Sequence, residues 1–190
     1  MRQRTTRRGR YAIAAAVVIV LGLLRLTPLW DLASGRAFDL LSTVDAPAPA
    51  NSDVVLVAID EPSFAEIGLQ WPWPRELHAQ LIEALRAAGA RSVAFDVVFS
   101  EQSDPTGDAA LAGAMGSDVV LAADETVSET PQGTLLTRTE PLPELRAAGA
   151  RFGIASLSQD RDGVVRRLPR YPDGFMRVLA GAPAPAPEGA

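Results

Sequence analysis

The chain has 190 residues, room for one ordinary globular domain and an appendage, and at 47% apolar and 22% charged it is not a disordered protein. It has no cysteine, which excludes a disulfide framework and a thiolate metal site. Six Arg and no acid stand in the first 25 residues, whereas beyond them 12 Arg face 23 Asp and Glu, a net charge of −11 that excludes a basic nucleic-acid-binding body. All the basic residues are Arg, which reads as base composition rather than as a surface selected for anions.

Residues 1–10 form a basic tip. Tyr11 to Leu24 is an unbroken apolar or glycine run of 14 residues. Extended through Trp30, with Arg25 able to snorkel, residues 11–30 reach the ~20 residues of a transmembrane helix. Tyr11 and Trp30 stand where interfacial aromatics belong, and the Arg-rich tip places the N-terminus in the cytoplasm and the body outside. The competing reading is a cleaved signal peptide. Its best cleavage motif, Ala48-Pro49-Ala50, lies too far from the apolar core, so the uncleaved anchor is preferred. Residues 31–52 are a juxtamembrane stretch ending in an Ala/Pro linker, 53–172 the folded body, and 173–190 an Ala/Pro-rich tail without fixed structure.

The body alternates strand and helix patterns. Val54 to Ile59 predicts a strand buried on both faces. Pro74 opens a helix carrying Leu77, Leu81, Ile82 and Leu85 at helical spacing, and Gly89 ends it as a left-handed cap. Ser92 to Phe99 predicts a second strand, Asp108 to Met115 a short helix and Asp118 to Ala123 a third strand. Glu125 to Thr139, with Pro131-Gln132-Gly133 inside it, predicts a hairpin. Leu145 to Arg151 then repeats Leu85 to Arg91 residue for residue, read as one helix-to-strand junction solved twice rather than as a duplication. Phe152 to Leu157, a turn at Asp160-Arg161-Asp162-Gly163, and Val164 to Leu168 complete the pattern. The expected fold is α/β, a mostly parallel sheet flanked by helices and preceded by one transmembrane helix.

Three predicted strands end in Asp60, Asp96 and Asp124. Such carboxylates at strand C-termini could gather a cation or an amine, but capping of the following segment is the commoner role and fits Asp60 before Glu61-Pro62-Ser63. Asp160-x-Asp162-Gly163 lacks the other ligands of a calcium loop and reads as a tight turn, with Arg166 and Arg167 pairing to acids nearby. His78 is the only histidine, so neither a zinc site nor a Ser-His-Asp arrangement can be assembled. A phosphate-binding glycine loop is missing as well. No catalytic constellation, metal site or cofactor is expected. In Trp71-Pro72-Trp73-Pro74-Arg75 two prolines restrict the backbone beside two indoles, giving either a stiff lid or an aromatic wall for a ligand or a dimer partner.

Asp53 to Asp60, Ser63, Gly68, Trp71-Pro72-Trp73-Pro74-Arg75, His78, Ala88-Gly89-Ala90, Ala94-Phe95-Asp96 and Phe99 together resemble the second CHASE family, the cyclase/histidine-kinase-associated sensory extracellular domains. Phe38-Asp39, Asp108 and Asp160-x-Asp162-Gly163-Val164-Val165-Arg166-Arg167 extend the likeness over about residues 36–170. The resemblance implies an extracytoplasmic input module of a bacterial membrane receptor. In that family further membrane helices lead to a cyclase, histidine kinase or similar output. It names no ligand, so Asp60, Ser63, Trp71, Trp73, Arg75, Asp96 and Asp124 stand as candidate ligand-binding residues on their chemistry alone. Pro72, Pro74, His78, Gly89, Asp108, Asp160, Asp162, Gly163, Arg166 and Arg167 are motif residues of structural or unassigned role. The pattern stops soon after Arg167, so a truncated domain without its output is expected. Its partners would be the membrane, a small ligand or ion, and a homodimer mate or partner receptor subunit. The alternatives are an exported metal-dependent enzyme using the three strand-end carboxylates, or a non-functional receptor fragment.

Overall fold

The computed structural model describes residues 7–44, 46 and 53–183. Residues 1–6 of the basic tip, residues 45 and 47–52 of the juxtamembrane stretch and linker, and residues 184–190 of the tail lie outside the described residues. Two compact units divide at Ala58/Ile59.

The first unit holds α1 (Arg7–Arg25) and α2 (Pro28–Val44). One helix over 11–30 is not what forms. Pro28 has no N–H to donate and its ring crowds the preceding turn, so helix propagation stops before it. The Thr27 hydroxyl donates to the Leu24 carbonyl at 2.6 Å, and a new helix starts at the proline itself. Among the described residues no single helix is long and apolar enough to cross a membrane; residues 9–25 and 30–44, bent by 89°, have the length and composition only as a pair.

The second unit is the α/β body. Its elements are α3 (Glu61–Ile67), α4 (Arg75–Ala87), β1 (Val93–Phe95), α5 (Pro105–Gly113), β2 (Val119–Thr130), β3 (Gly133–Thr139), α6 (Pro143–Ala147), β4 (Arg151–Ile154) and α7 (Phe175–Leu179). β1 and β4 flank β2, both parallel to it. The outer half of β2 pairs antiparallel with β3, Val127 opposite Leu136, which is the expected hairpin. The sheet is therefore mostly parallel and flanked by helices.

Burial follows the strand sequence. Val119 to Ala123 is entirely enclosed, as a run of apolar residues covered on both faces must be. Val93, Phe95, Val119 and Leu121 pack with Ala79 and Ile82 of α4, Leu111 of α5 and Leu145 of α6 in one core. From Glu125 onward polar residues enter, and the strand runs out into solvent.

The repeated heptapeptide makes the same junction twice. After α4 the Gly89 N–H donates to the Arg86 carbonyl at 2.9 Å and the Ala90 N–H to Leu85 at 3.0 Å. After α6 Gly149 donates to Arg146 at 3.0 Å and Ala150 to Leu145 at 3.2 Å. Both glycines have positive φ, 92° and 111°, which is why each helix can stop there and turn into a strand.

Several expected elements are absent or shorter. Val54 to Ile59 is not part of the sheet, and Val55 and Leu56 are 84% and 90% exposed. An apolar run becomes a buried strand only where other elements cover its faces, and among the described residues nothing covers these two. The second strand is only β1, and Val164 to Leu168 forms no strand. Residues 175–179, placed by their sequence in the tail, are helical, and a bridge from Ile154 to Gly174 leads the chain into α7.

Candidate functional site

The Trp-Pro-Trp-Pro-Arg string forms the corner between α3 and α4. Asp60 begins it: its carboxylate accepts from the Ser63 N–H at 3.1 Å and hydroxyl at 2.7 Å, capping α3 and lowering the Asp60 pKa through the Ser63 bonds. Gly68, at φ 69°, ends that short helix. The Trp71–Pro72 peptide is cis.

Behind the corner lies a ring cluster. The Trp73 indole N–H donates to the Leu69 carbonyl at 3.1 Å, and its ring meets Phe64 at 5.2 Å and Trp71 at 5.8 Å between centroids. His78, on the buried face of α4, lies 6.4 Å from Trp73, 5.9 Å from Trp71, 5.9 Å from Phe95 and 5.3 Å from Phe99. Burial first, and the positive Arg75 second, lower the His78 pKa, because both disfavour the imidazolium.

Arg75 ties the corner to α5. Its guanidinium stands 4.6 Å over the Phe99 ring, donates to the Glu101 carbonyl at 3.0 Å and lies 3.5 Å from the Asp108 carboxylate. The other Asp108 oxygen accepts from the Ser103 N–H at 2.8 Å. Beside Asp108 a groove of about 300 Å³ is lined by Gln102, Ser103, Leu142 and Glu144 among others. The structure thus brings Trp71, Trp73, Arg75, His78 and Asp108 into one network with Phe64, Phe95 and Phe99.

The three carboxylates are not gathered into a metal site. Asp60 is a helix cap, Asp96 is exposed, and Asp124 lies within β2 rather than at its end. Asp124 accepts from the hydroxyls of Ser156 at 2.6 Å and Thr126 at 2.8 Å; both bonds lower its pKa, and the Ser156 bond pins β2 to the chain after β4. Among the described residues no group of three or more His, Asp or Glu side chains is placed to hold a metal ion.

The Asp160–Gly163 stretch is a closed turn. Gly163 has φ 78°, and the Arg166 guanidinium donates to Asp160 at 2.9 Å and to both Asp162 oxygens at 2.9 and 2.7 Å. Arg166 thereby lowers the Asp162 pKa from its ordinary 3.8 to about 2. The folded turn holds its proton less tightly than the unfolded chain. Its contribution to stability is complete above pH 3.8 and is lost as pH falls through about 2. A carboxyl-carbon NMR titration should place the Asp162 midpoint near 2 and move it back towards the ordinary value in Arg166→Gln.

Sequence reasoning missed the fork between Arg86 and Asp118, whose two N–H···O contacts of 2.7 and 2.8 Å bind the end of α4 to the start of β2. It raises the Arg86 pKa and lowers that of Asp118. The partners are 32 residues apart, and no local pattern links them.

Comparison with curated proteins and with solved structures gives no match. The family model of the CHASE2 domain matches residues 13–184, a span that includes the Trp-Pro-Trp-Pro-Arg corner, His78, Asp108 and the Asp160–Arg166 turn. The chain belongs to the CHASE2 domain family, a family of extracellular sensory domains of receptors.

Proposed function

We propose that this chain is the extracytoplasmic input domain of a bacterial membrane receptor, held by its apolar N-terminal segment and coupled to a cyclase, a histidine kinase or a similar output. The observation that carries this reading is the family match over residues 13–184. The charge pattern supports the orientation: five Arg precede the apolar run, and the acids all follow it. Anchoring then uses α1 with α2, the bent pair, rather than one straight helix.

A small ligand or ion is the input, and the corner with its adjacent groove is the place to receive it. Aromatic faces, the Arg75 cation and the Asp108 carboxylate offer apolar, anionic and cationic contacts within one network. A second subunit, either another copy or a partner receptor chain, would carry the signal across the membrane.

The deciding experiment is a topology assay on the full chain. Alkaline phosphatase fused after residue 183 should be active, and a fluorescent protein that folds only in the cytoplasm should stay dark there. The reverse pair of results would overturn the reading.

A further inference from the structure

His78 is the chain's one histidine and is 2% exposed. Among the described residues the rings that meet it are aromatic, and one charged group acts on it. The loop before α4 supplies Trp71 and Trp73, β1 supplies Phe95, and the segment after β1 supplies Phe99. The charged group facing it is Arg75, one turn earlier on its own helix, and Arg75 is held in place by Asp108 of α5 and the Glu101 carbonyl. A proton added to the imidazole therefore places a second positive charge next to a fixed one, away from water.

We propose that His78 is a proton-operated latch: its protonation opens the ring cluster and releases the Trp71–Trp73 corner from α4, so that external acidification is an input of this domain. The proposal rests on the sensory reading above and names one signal for it. The element free to move is the corner. Trp71 is 40% exposed and meets the cluster through the rings of Trp73 and His78, while Trp73 adds one hydrogen bond to Leu69. The corner continues back into α3, which starts at Glu61, within three residues of the division between the two compact units. Release of the corner thus acts on the chain close to where it leaves for the N-terminal helices.

The direction of the pH effect follows from burial. A histidine titrating below its ordinary 6.5 in the folded state contributes stability that is present above that pH and is lost as pH falls below it. Lowering the pH drives opening, and raising it closes the latch.

A single histidine makes the test direct. The full chain in detergent, labelled with ¹⁵N-histidine, is titrated from about pH 8 to 5 by imidazole NMR and by tryptophan emission together. The ring should protonate with a midpoint below 6.5, the emission should shift to the red with the same midpoint, and the amides of Leu69, Gln70, Trp71 and Trp73 should exchange about tenfold faster on the acid side. His78→Phe should keep its fold and show a flat emission profile. A midpoint at or above 6.5 would overturn the latch, as would protonation with unchanged emission or an emission shift that survives in His78→Phe. If that variant does not fold, the wild-type midpoint and its coupling to emission decide alone. These readouts are independent of the topology assay, so failure of the latch leaves the sensory reading standing.

Discussion

Trp73→Ala is expected to destabilise the α/β body by about 3–5 kcal/mol, the range for deleting a large buried aromatic. Trp73 is 7% exposed, and its ring is the contact through which Phe64 of α3 reaches the rest of the cluster. The gap left behind would be lined by the rings of Phe64, Trp71 and His78, and its cost grows with the volume that they do not fill. The Leu69 carbonyl also loses its donor. Urea denaturation followed by circular dichroism measures the loss, and a value below about 1 kcal/mol would show that the corner does not bear on the core. Trp73→Phe keeps a ring in place and should cost far less. In the alanine variant water reaches His78, so its midpoint should rise towards the ordinary value even where the fold survives.

Gly153→Val should detach α7. A Cβ at this position of β4 would stand 2.7 Å from the Phe175 Cα and 2.8 Å from both the Asp173 carbonyl oxygen and the Phe175 nitrogen. These are backbone atoms and cannot rotate aside. The strand itself gains from a β-branched residue, so the penalty falls on the segment that lies across it. That segment is held by the Ile154 N–H to the Asp173 carbonyl at 2.9 Å and by Arg151 to the Val178 carbonyl at 2.5 Å. We expect a loss of about 3 kcal/mol, the upper end of the usual overpacking range. Amides of 175–182 should exchange much faster while those of Val119 to Ala123 stay protected. Equal protection of 175–182 in the variant and the parent would refute this packing.

How much of the site was legible depended on how local its chemistry is. Asp60 as a cap needs only Ser63, three residues on, and its role could be read beforehand. The stiffness of the Trp-Pro-Trp-Pro-Arg string is likewise a property of its own backbone. That Trp71 and Trp73 meet His78 at the same place as Phe95 and Phe99 is not written in any window of the sequence. It follows from α4 lying on β1. The Asp60–Asp96–Asp124 grouping failed for the same reason: it assumed three strand ends side by side, whereas only Asp96 follows a strand that stops there.

What the sequence determined by itself was whatever short-range sterics and hydrogen bonding decide. The two glycine-stopped junctions, the hairpin over 125–139 and the Asp160–Gly163 turn are of this kind, and so are the family strings. Tertiary structure decided the rest. Whether an apolar run is buried depends on what covers it, so Val119 to Ala123 became the central strand while Val54 to Ile59, equally apolar, stayed outside the sheet. A five-residue helix has too few internal hydrogen bonds to form alone, so α7 exists by packing against β4. Pro28, by contrast, broke the N-terminal helix through its own local sterics, although hydropathy read the run as continuous. His78 is buried because the elements around it converge there, and the same convergence places Arg75 beside it.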